Sequence, residues 1–80
     1  MKYVYLLRRQ ATPEENYVGL SCDLQRRVAE HNARKCRHTR KHAPWRCVVA
    51  LRFLDHGKAD AFEQYLKTGS GRAFAKRHFW

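Results

Sequence analysis

The chain has 80 residues, of which 44% are hydrophobic and 12% aromatic, so it can form one small core and does not have the composition of a disordered protein. It contains no apolar run close to the roughly 20 residues that a membrane-spanning helix requires. Seventeen Lys and Arg residues against seven Asp and Glu residues give a net charge of +10, which favours a polyanionic partner such as nucleic acid.

The amino terminus and the cysteines bear on where the protein acts. The first residues, MKYVYLLRRQ, are not typical of a secretory signal, because Arg8 and Arg9 end the short apolar run. Three cysteines without paired spacing indicate reduced thiols in an untargeted chain. They are Cys22, Cys36 and Cys47. We expect a cytoplasmic protein without membrane association, formed by one domain over residues 1–80.

The first part of the chain predicts two strands joined by a hairpin loop. Residues 2–8 are β-branched, aromatic and aliphatic, and residues 17–20 form the return strand. The segment between them carries Pro13 and polar side chains, which are typical of a hairpin loop. Gly19 lies inside the second strand and indicates either that another group approaches the backbone closely there or that the strand bends.

A helix and a third strand are predicted next. Asp23 is a good N-cap for a helix over residues 24–35. Residues 46–54 are the most apolar strand of the chain, and their nearly continuous apolar run predicts a central strand covered on both faces.

Two further helices complete the predicted fold. Residues 56–57 indicate a turn, and residues 58–67 carry an apolar stripe at helical spacing that Gly69 would end. Residues 70–80 predict a last short helix with Ser70 as its cap. The order β-β-α-β-α-α predicts an α+β fold, with a small three-stranded antiparallel sheet flanked by helices.

The positive charge is concentrated in residues 34–46, RKCRHTRKHAPWR, which contain six Lys and Arg residues, two His and no acid. We interpret this segment as a contact with a nucleic-acid backbone, the alternative being a solvated loop on a basic protein. The candidate contact residues are Arg34, Lys35, Arg37, Arg40 and Lys41.

The same segment also suggests a zinc site as an alternative. Cys36, His38, His42 and Cys47 provide soft ligands close together in sequence. The absence of a C-x2-C pair and of turn residues that would direct these side chains inward disfavours this interpretation.

Arg27 and His31 are four residues apart and therefore lie on the same face of the first helix. Leu24 and Val28 mark the buried stripe of that helix, and Arg27 lies beside it. A guanidinium held at the rim of a core is positioned to bind a phosphate with two hydrogen bonds. The alternative is an ordinary basic helix face.

Glu63 lies against the apolar stripe of the second helix, next to Phe62, four residues after Ala59 and three before Leu66. A carboxylate at the margin of a core needs a cation, a metal ion or a proton. One Glu with waters and phosphate oxygens is sufficient for Mg²⁺, which keeps several of its waters. The alternative is an ion pair with a nearby Arg.

These motifs occur together in a characteristic order. YVY at residues 3–5, YVG at residues 17–19, R-x3-H-N at residues 27–32 and a downstream Glu63 resemble the GIY-YIG nuclease superfamily, in particular its small single-domain bacterial members. The resemblance extends from Tyr3 to about Arg77. It implies an endonuclease that hydrolyses phosphodiester bonds in DNA with one Mg²⁺ or Mn²⁺ ion, with a role in DNA repair or recombination.

The resemblance also implies roles for individual residues. Tyr5 and Tyr17 would face the active site, Arg27 would be the essential arginine, and His31 would lie beside the scissile phosphate. Glu63 would bind the metal. A further implication is that Gly19 lets the sheet backbone approach substrate or a helix.

Two positions depart from the family pattern. Tyr3 stands where the first motif has its glycine, and the chain has no asparagine after Asn32, although many members carry one late in the domain. Ser70 and Arg72 are the candidates to replace that asparagine in binding substrate.

The identity of the general base stays open between Tyr5 and His31, and Tyr5 is favoured. Arg27 and the metal are expected to lower the pKa of the Tyr5 phenol toward neutrality. The reference pKa of histidine is already near 6.5.

Two other functions are compatible with the same residues. A catalytically inactive module would hold nucleic acid through its basic segments. A structural subunit would place the basic face on an acidic protein partner, whose identity the sequence does not indicate, and would not bind DNA in a salt-dependent way.

Overall fold

The computed structural model describes residues 1–12 and 14–80, so Pro13 of the predicted hairpin loop lies outside the described residues. Three antiparallel strands, β1 (Lys2–Arg9), β2 (Asn16–Ser21) and β3 (Trp45–Phe53), form a sheet in the order β2-β1-β3. Three α-helices complete the α+β fold in the order that the sequence predicts, and this prediction is confirmed.

The central strand is β1, and the prediction of a central third strand is wrong. Val4, Tyr5, Leu6 and Leu7 of β1 are fully buried because side chains on both faces of this strand are covered. In β3, which forms one edge of the sheet, several side chains are exposed or only partly buried. A continuous apolar run marks a central strand only where helices cover both faces.

The first helix, α1 (Leu24–Asn32), begins where Asp23 predicts, since the Asp23 side chain accepts a hydrogen bond from the backbone N–H of Arg26. It ends before the predicted boundary at residue 35, with Ala33 as its C-cap. A short 3₁₀ helix, Arg40–His42, follows in the basic segment.

The boundaries of α2 (His56–Leu66) and α3 (Gly69–His78) differ from the predicted ones because two other residues cap them. Asp55 accepts from the N–H of Lys58, so residues 56–57 open α2 and do not form a turn. Thr68 accepts from the N–H of Gly71, which makes Thr68 the cap in place of Ser70. Gly69 therefore begins α3 and does not end α2.

The alternation of β1 side chains separates two apolar clusters, one on each face of the sheet. Val4 and Leu6 pack with Ala59, Leu66 and Ala75 of α2 and α3. On the other face Tyr5 and Leu7 pack with Trp45 and with side chains of α1. No helix in the described part of the chain is both long and apolar enough to cross a membrane.

Candidate active site

Two tyrosines and a histidine meet on the α1 face of the sheet. Tyr5 lies opposite Gly19 in the β1–β2 ladder and Leu7 lies opposite Tyr17, so Tyr5 and Tyr17 are diagonal neighbours on one face. Their ring centroids are 6.3 Å apart, and the His31 ring of α1 lies 5.7 Å from Tyr5 and 5.0 Å from Tyr17. Strand register and helix packing thus bring together three of the side chains that the sequence predicts for the site.

Gly19 makes room for this cluster. A Cβ atom at Gly19 would lie 2.5 Å from Cζ and Oη of Tyr5 and 2.9 Å from Cε2 of Tyr17. The groups that approach the backbone in the protein alone are therefore the two phenol rings, and the approach of a substrate that the family resemblance implies stays a prediction. Any larger residue at this position forces the Tyr5 ring to shift.

A buried chain of hydrogen bonds connects the cluster to the basic segment. The Tyr5 hydroxyl is hydrogen bonded to His31 Nε2 at 2.8 Å, and His31 Nδ1 is bonded to the Thr39 hydroxyl at 2.6 Å. All three side chains are buried. A neutral imidazole has one donor and one acceptor nitrogen, so the two hydroxyls have opposite roles at the His31 ring.

Thr39 is the functional candidate that the sequence analysis missed. It lies within the segment interpreted as a basic surface, yet it is only 1% exposed, and its carbonyl accepts from the indole N–H of Trp45 at 3.0 Å. Its signal in the sequence is weak: one neutral hydroxyl residue surrounded by cations. The chain turns inward at this point through hydrogen bonds from the Thr39 and Arg40 N–H groups to the Cys36 carbonyl.

Asn32 holds the start of β3 beside α1. Its amide nitrogen donates to the Trp45 carbonyl at 3.0 Å, and its amide oxygen accepts from the Trp45 N–H at 2.6 Å. The side chain thus completes the backbone hydrogen bonding of Trp45 in the way a neighbouring strand would. This contact keeps the segment that carries Thr39 folded against His31.

Burial raises the pKa of Tyr5 to about 12, and the nearby Arg27 guanidinium opposes this shift only in part. Arg27 lowers the Tyr5 pKa as expected, but in the protein alone the cost of a buried phenolate exceeds the attraction of the cation, and the expected effect of the metal stays a prediction. Burial first, and the Arg27 charge second, lower the pKa of His31. His31 is thus neutral at pH 7 and available to accept a proton.

Arg27 lies at the margin of the cluster, where its side chain is 38% exposed. Its Nη1 donates to Glu30 Oε1 at 3.1 Å, and Glu30 also accepts from Arg26 Nε at 3.3 Å. One edge of the guanidinium is thus held by the protein, while its partial exposure leaves it accessible to a phosphate.

Glu63 lies on α2, which packs on the opposite face of the sheet. Its side chain is 7% exposed and forms an ion pair with Lys67, one turn further along the helix, where the sequence had suggested an Arg partner. In residues 1–12 and 14–80, no hydrogen bond or ion pair joins Glu63 to the Tyr5–His31 cluster. Glu63 is thus the one predicted catalytic residue that lies outside the cluster.

The donor set at Glu63 is compatible with one Mg²⁺ or Mn²⁺ ion. Within the described residues no group of three His, Cys, Asp or Glu side chains converges, either at Glu63 or among the four residues of the zinc alternative. Lys67 already compensates the buried Glu63 carboxylate, so Mg²⁺, which accepts one carboxylate with waters and phosphate oxygens as its other ligands, would take the place of the Lys67 ammonium. Glu63 is the residue that would hold the ion.

The predicted substrate-binding residues fall on two surfaces. The first is the exposed part of the basic segment after α1, made of Arg34, Lys35, Arg37, Arg40 and Lys41. The second is α3, where Ser70 and Arg72 are exposed and Arg72 lines a groove of about 850 Å³ between β2 and α3. Tyr17 also lines this groove.

Tyr17 therefore connects the aromatic cluster with solvent. Tyr5 and His31 are 0% exposed, whereas Tyr17 is partly buried and belongs both to the cluster and to the wall of the groove. Of the three rings, Tyr17 is the one that a water molecule or a phosphate in the groove would meet.

A buried tyrosine–histidine cluster on a three-stranded sheet, with an accessible arginine beside it and a basic groove next to it, is suited to binding and hydrolysing a phosphodiester. The family of GIY-YIG catalytic domains matches residues 1–77, almost the whole chain. The chain belongs to the GIY-YIG family, whose members are nucleases, so its substrate is a nucleic acid. Searches of curated proteins and of solved structures found no match.

Proposed function

We propose that the protein is a metal-dependent endonuclease that hydrolyses phosphodiester bonds in DNA, acting in the cytoplasm in DNA repair or recombination. The observation that carries this proposal is the buried Tyr5–His31–Thr39 chain, with Arg27 near Tyr5 and the partly buried Tyr17 ring packed against Tyr5 and His31. Such a chain orders three polar side chains inside a small core, where they contribute less to stability than apolar residues of the same size would.

The reaction requires charge neutralisation on the phosphoryl oxygens and a base for the attacking water. Arg27 provides a permanent, partly exposed positive charge for the oxygens. The complete burial of Tyr5 favours Tyr17 over Tyr5 as the group that contacts the water. Tyr5 and His31 then hold the Tyr17 ring in place, and the neutral His31 keeps a proton acceptor within the cluster.

Glu63 would hold the metal ion, which when bound supplies further positive charge to the phosphate and to the departing oxygen. The ion pair with Lys67 keeps the buried carboxylate compensated in the protein alone.

The test is a cleavage assay with Mg²⁺ and Mn²⁺ over a panel of duplex, branched and single-stranded DNA and of RNA, with Glu63→Ala alongside. We expect metal-dependent cleavage of DNA by the wild type and none by the variant. Binding without cleavage across all substrates and metals would contradict the proposal in favour of the inactive binding module. Absence of salt-dependent binding would favour the structural subunit.

Thr39→Val should impair the reaction without removing any group that contacts substrate. The change leaves His31 Nδ1 buried without a hydrogen-bond partner, which lowers the free energy of unfolding by about 1–3 kcal/mol. It also removes the hydrogen bond that favours one tautomer of the His31 ring. Chemical denaturation and the pH profile of cleavage measure the two effects. Thr39→Ser should restore both, and a Ser variant as impaired as the Val variant would show that the hydroxyl is not the important group.

The depressed pKa of His31 predicts that stability falls in acid. The unfolded chain takes up a proton at His31 near pH 6.5 while the folded protein does not, so stability is lost as the pH falls below roughly 6.5. His31 changes the free energy of unfolding by at most about 1.4 kcal/mol per pH unit. Urea unfolding at roughly pH 7.5 and 5.5 measures it. His31→Gln should reduce the difference, whereas replacement of the exposed His38 by Gln should not.

A further inference from the structure

Two arginines face each other at one end of the sheet. Arg8 of β1 and Arg46 of β3 are directly opposite partners in the antiparallel ladder. Like charges in such a pair destabilise a sheet. Within residues 1–12 and 14–80 neither arginine forms an ion pair that would compensate this repulsion.

The same region contains donors without acceptors. The Nε atoms of Arg8 and Arg9 are buried and have no hydrogen-bond partner in the described chain. Both residues, with Gln10 and Arg46, line a pocket of about 350 Å³. The Arg9 guanidinium is already paired with Glu15 at 2.8 Å, so Arg8 and Arg46 are the cations that remain for an anionic ligand. An anionic ligand in this pocket would provide acceptors for these donors.

Arg8 also belongs to the larger groove of about 850 Å³ that Tyr17 lines, so the two cavities share one arginine. Its guanidinium carbon lies 5.6 Å from the centre of the Trp80 ring, a cation–π contact that holds the side chain between the cavities. The groove combines two further cations, Arg72 and Lys76, with the rings of Tyr17 and Trp80. Its wall also contains Lys67, which is paired with Glu63, and the acidic Glu14.

Paired bases in a duplex offer only their edges to a protein, whereas unpaired bases fill grooves bordered by aromatic rings while their phosphates follow the cations. We propose that Arg8 and Arg46 bind successive phosphates of an unpaired nucleic-acid strand, whose neighbouring nucleotides lie in the groove toward Tyr17. This inference rests on the proposed nuclease function, because it names the substrate beside Tyr17 as a single strand. Arg46 is the last residue of the basic segment, whereas the predicted contact residues of that segment, Arg34 to Lys41, line neither cavity.

Fluorescence anisotropy with a short labelled oligothymidylate tests this site. The measurement uses the Glu63→Gln protein without metal, so that binding is read independently of cleavage. We expect the Arg8→Gln/Arg46→Gln pair to reduce the slope of log affinity against log salt by about 1.4, which corresponds to two phosphate contacts. Arg46→Gln alone, at an exposed position, should reduce it by about 0.7. Arg52→Gln, an exposed arginine of the same strand, is the matched control.

Removal of the Arg46 charge alone should also raise the urea midpoint, because the repulsion disappears while the Arg8–Trp80 contact is kept and no ion pair is lost. An unchanged salt slope in both variants would overturn the proposal, as would an equal loss of affinity for a duplex of the same length. If the variants lose strand binding but the wild type never cleaves, the site stands and the nuclease proposal fails. If the wild type cleaves and the variants bind the strand normally, the nuclease proposal stands and the proposed strand-binding site is wrong.

Discussion

Glu63→Gln is expected to abolish metal-dependent cleavage while DNA binding persists. The substitution keeps the shape of the side chain but removes the buried negative charge that would hold a divalent cation. Loss of a metal ligand in phosphoryl chemistry removes several kcal/mol of transition-state stabilisation, so we expect a rate loss of roughly 10³-fold or more. Cleavage assays over a range of Mg²⁺ concentrations measure this.

The control for Glu63→Gln is Asp60→Asn on the same helix. Asp60 forms a surface ion pair with Lys2 at 2.7 Å and lies away from the groove. Its replacement should leave cleavage unchanged and cost little stability, since surface ion pairs contribute about 0–1 kcal/mol. Mn²⁺ binding followed by electron paramagnetic resonance provides a readout apart from activity. A Glu63→Gln protein that still binds Mn²⁺ and cleaves DNA would show that the ion is held elsewhere.

Arg27→Ala is expected to reduce cleavage by about 10³-fold or more, the magnitude typical of an arginine that neutralises charge on a transferred phosphoryl group. Single-turnover cleavage with saturating DNA measures the chemical step. Stability should change little, because the Arg27–Glu30 pair is partly solvated.

Arg26→Ala is the matched control for Arg27→Ala. Both arginines pair with Glu30 from the same helix, but Arg26 is 76% exposed and lies away from the Tyr5–His31 cluster, whereas the Arg27 charge acts on both rings. The two variants lose the same charge and a similar ion pair. Equal losses of activity would mean that Arg27 contributes only general positive charge.

Burial of Tyr5 has a mechanistic consequence. A phenol with a pKa near 12 is protonated at neutral pH, so Tyr5 without a metal nearby is a hydrogen-bond partner of His31 and not a base. Its proximity to Gly19 explains why the second strand carries a glycine opposite it. In this chain the glycine of the YVG motif thus makes room for the Tyr5 ring.

Much of the fold was predictable from local patterns. The hairpin, the Asp23 cap and the order of elements follow from turn residues, capping side chains and apolar periodicity, which act over a few residues. The boundaries of α2 and α3 were not predictable in this way. The capping residues Asp55 and Thr68 lie close to Gly57 and Gly69, which indicate a turn and a helix end at nearly the same positions. In both helices the capping hydrogen bond determines the start.

The candidate site was predictable in part. The spacing of Arg27 and His31 and the two tyrosine motifs identify the α1 face, since residues four apart on a helix and alternate residues on a strand share a face. The burial of Thr39 was not predictable, because it depends on how Asn32 and Trp45 hold a basic, loop-like segment against the helix.

The sequence by itself determined that this protein is a small basic α+β domain with the motifs of a nuclease family. These properties depend on residue type and short-range spacing. Only the tertiary structure decided that β1 is central, that Thr39 completes the chain from Tyr5 through His31, and that Arg8 faces Arg46. These relations join residues far apart in the chain. They arise from strand register and helix packing, which a periodicity restricted to neighbouring residues does not specify.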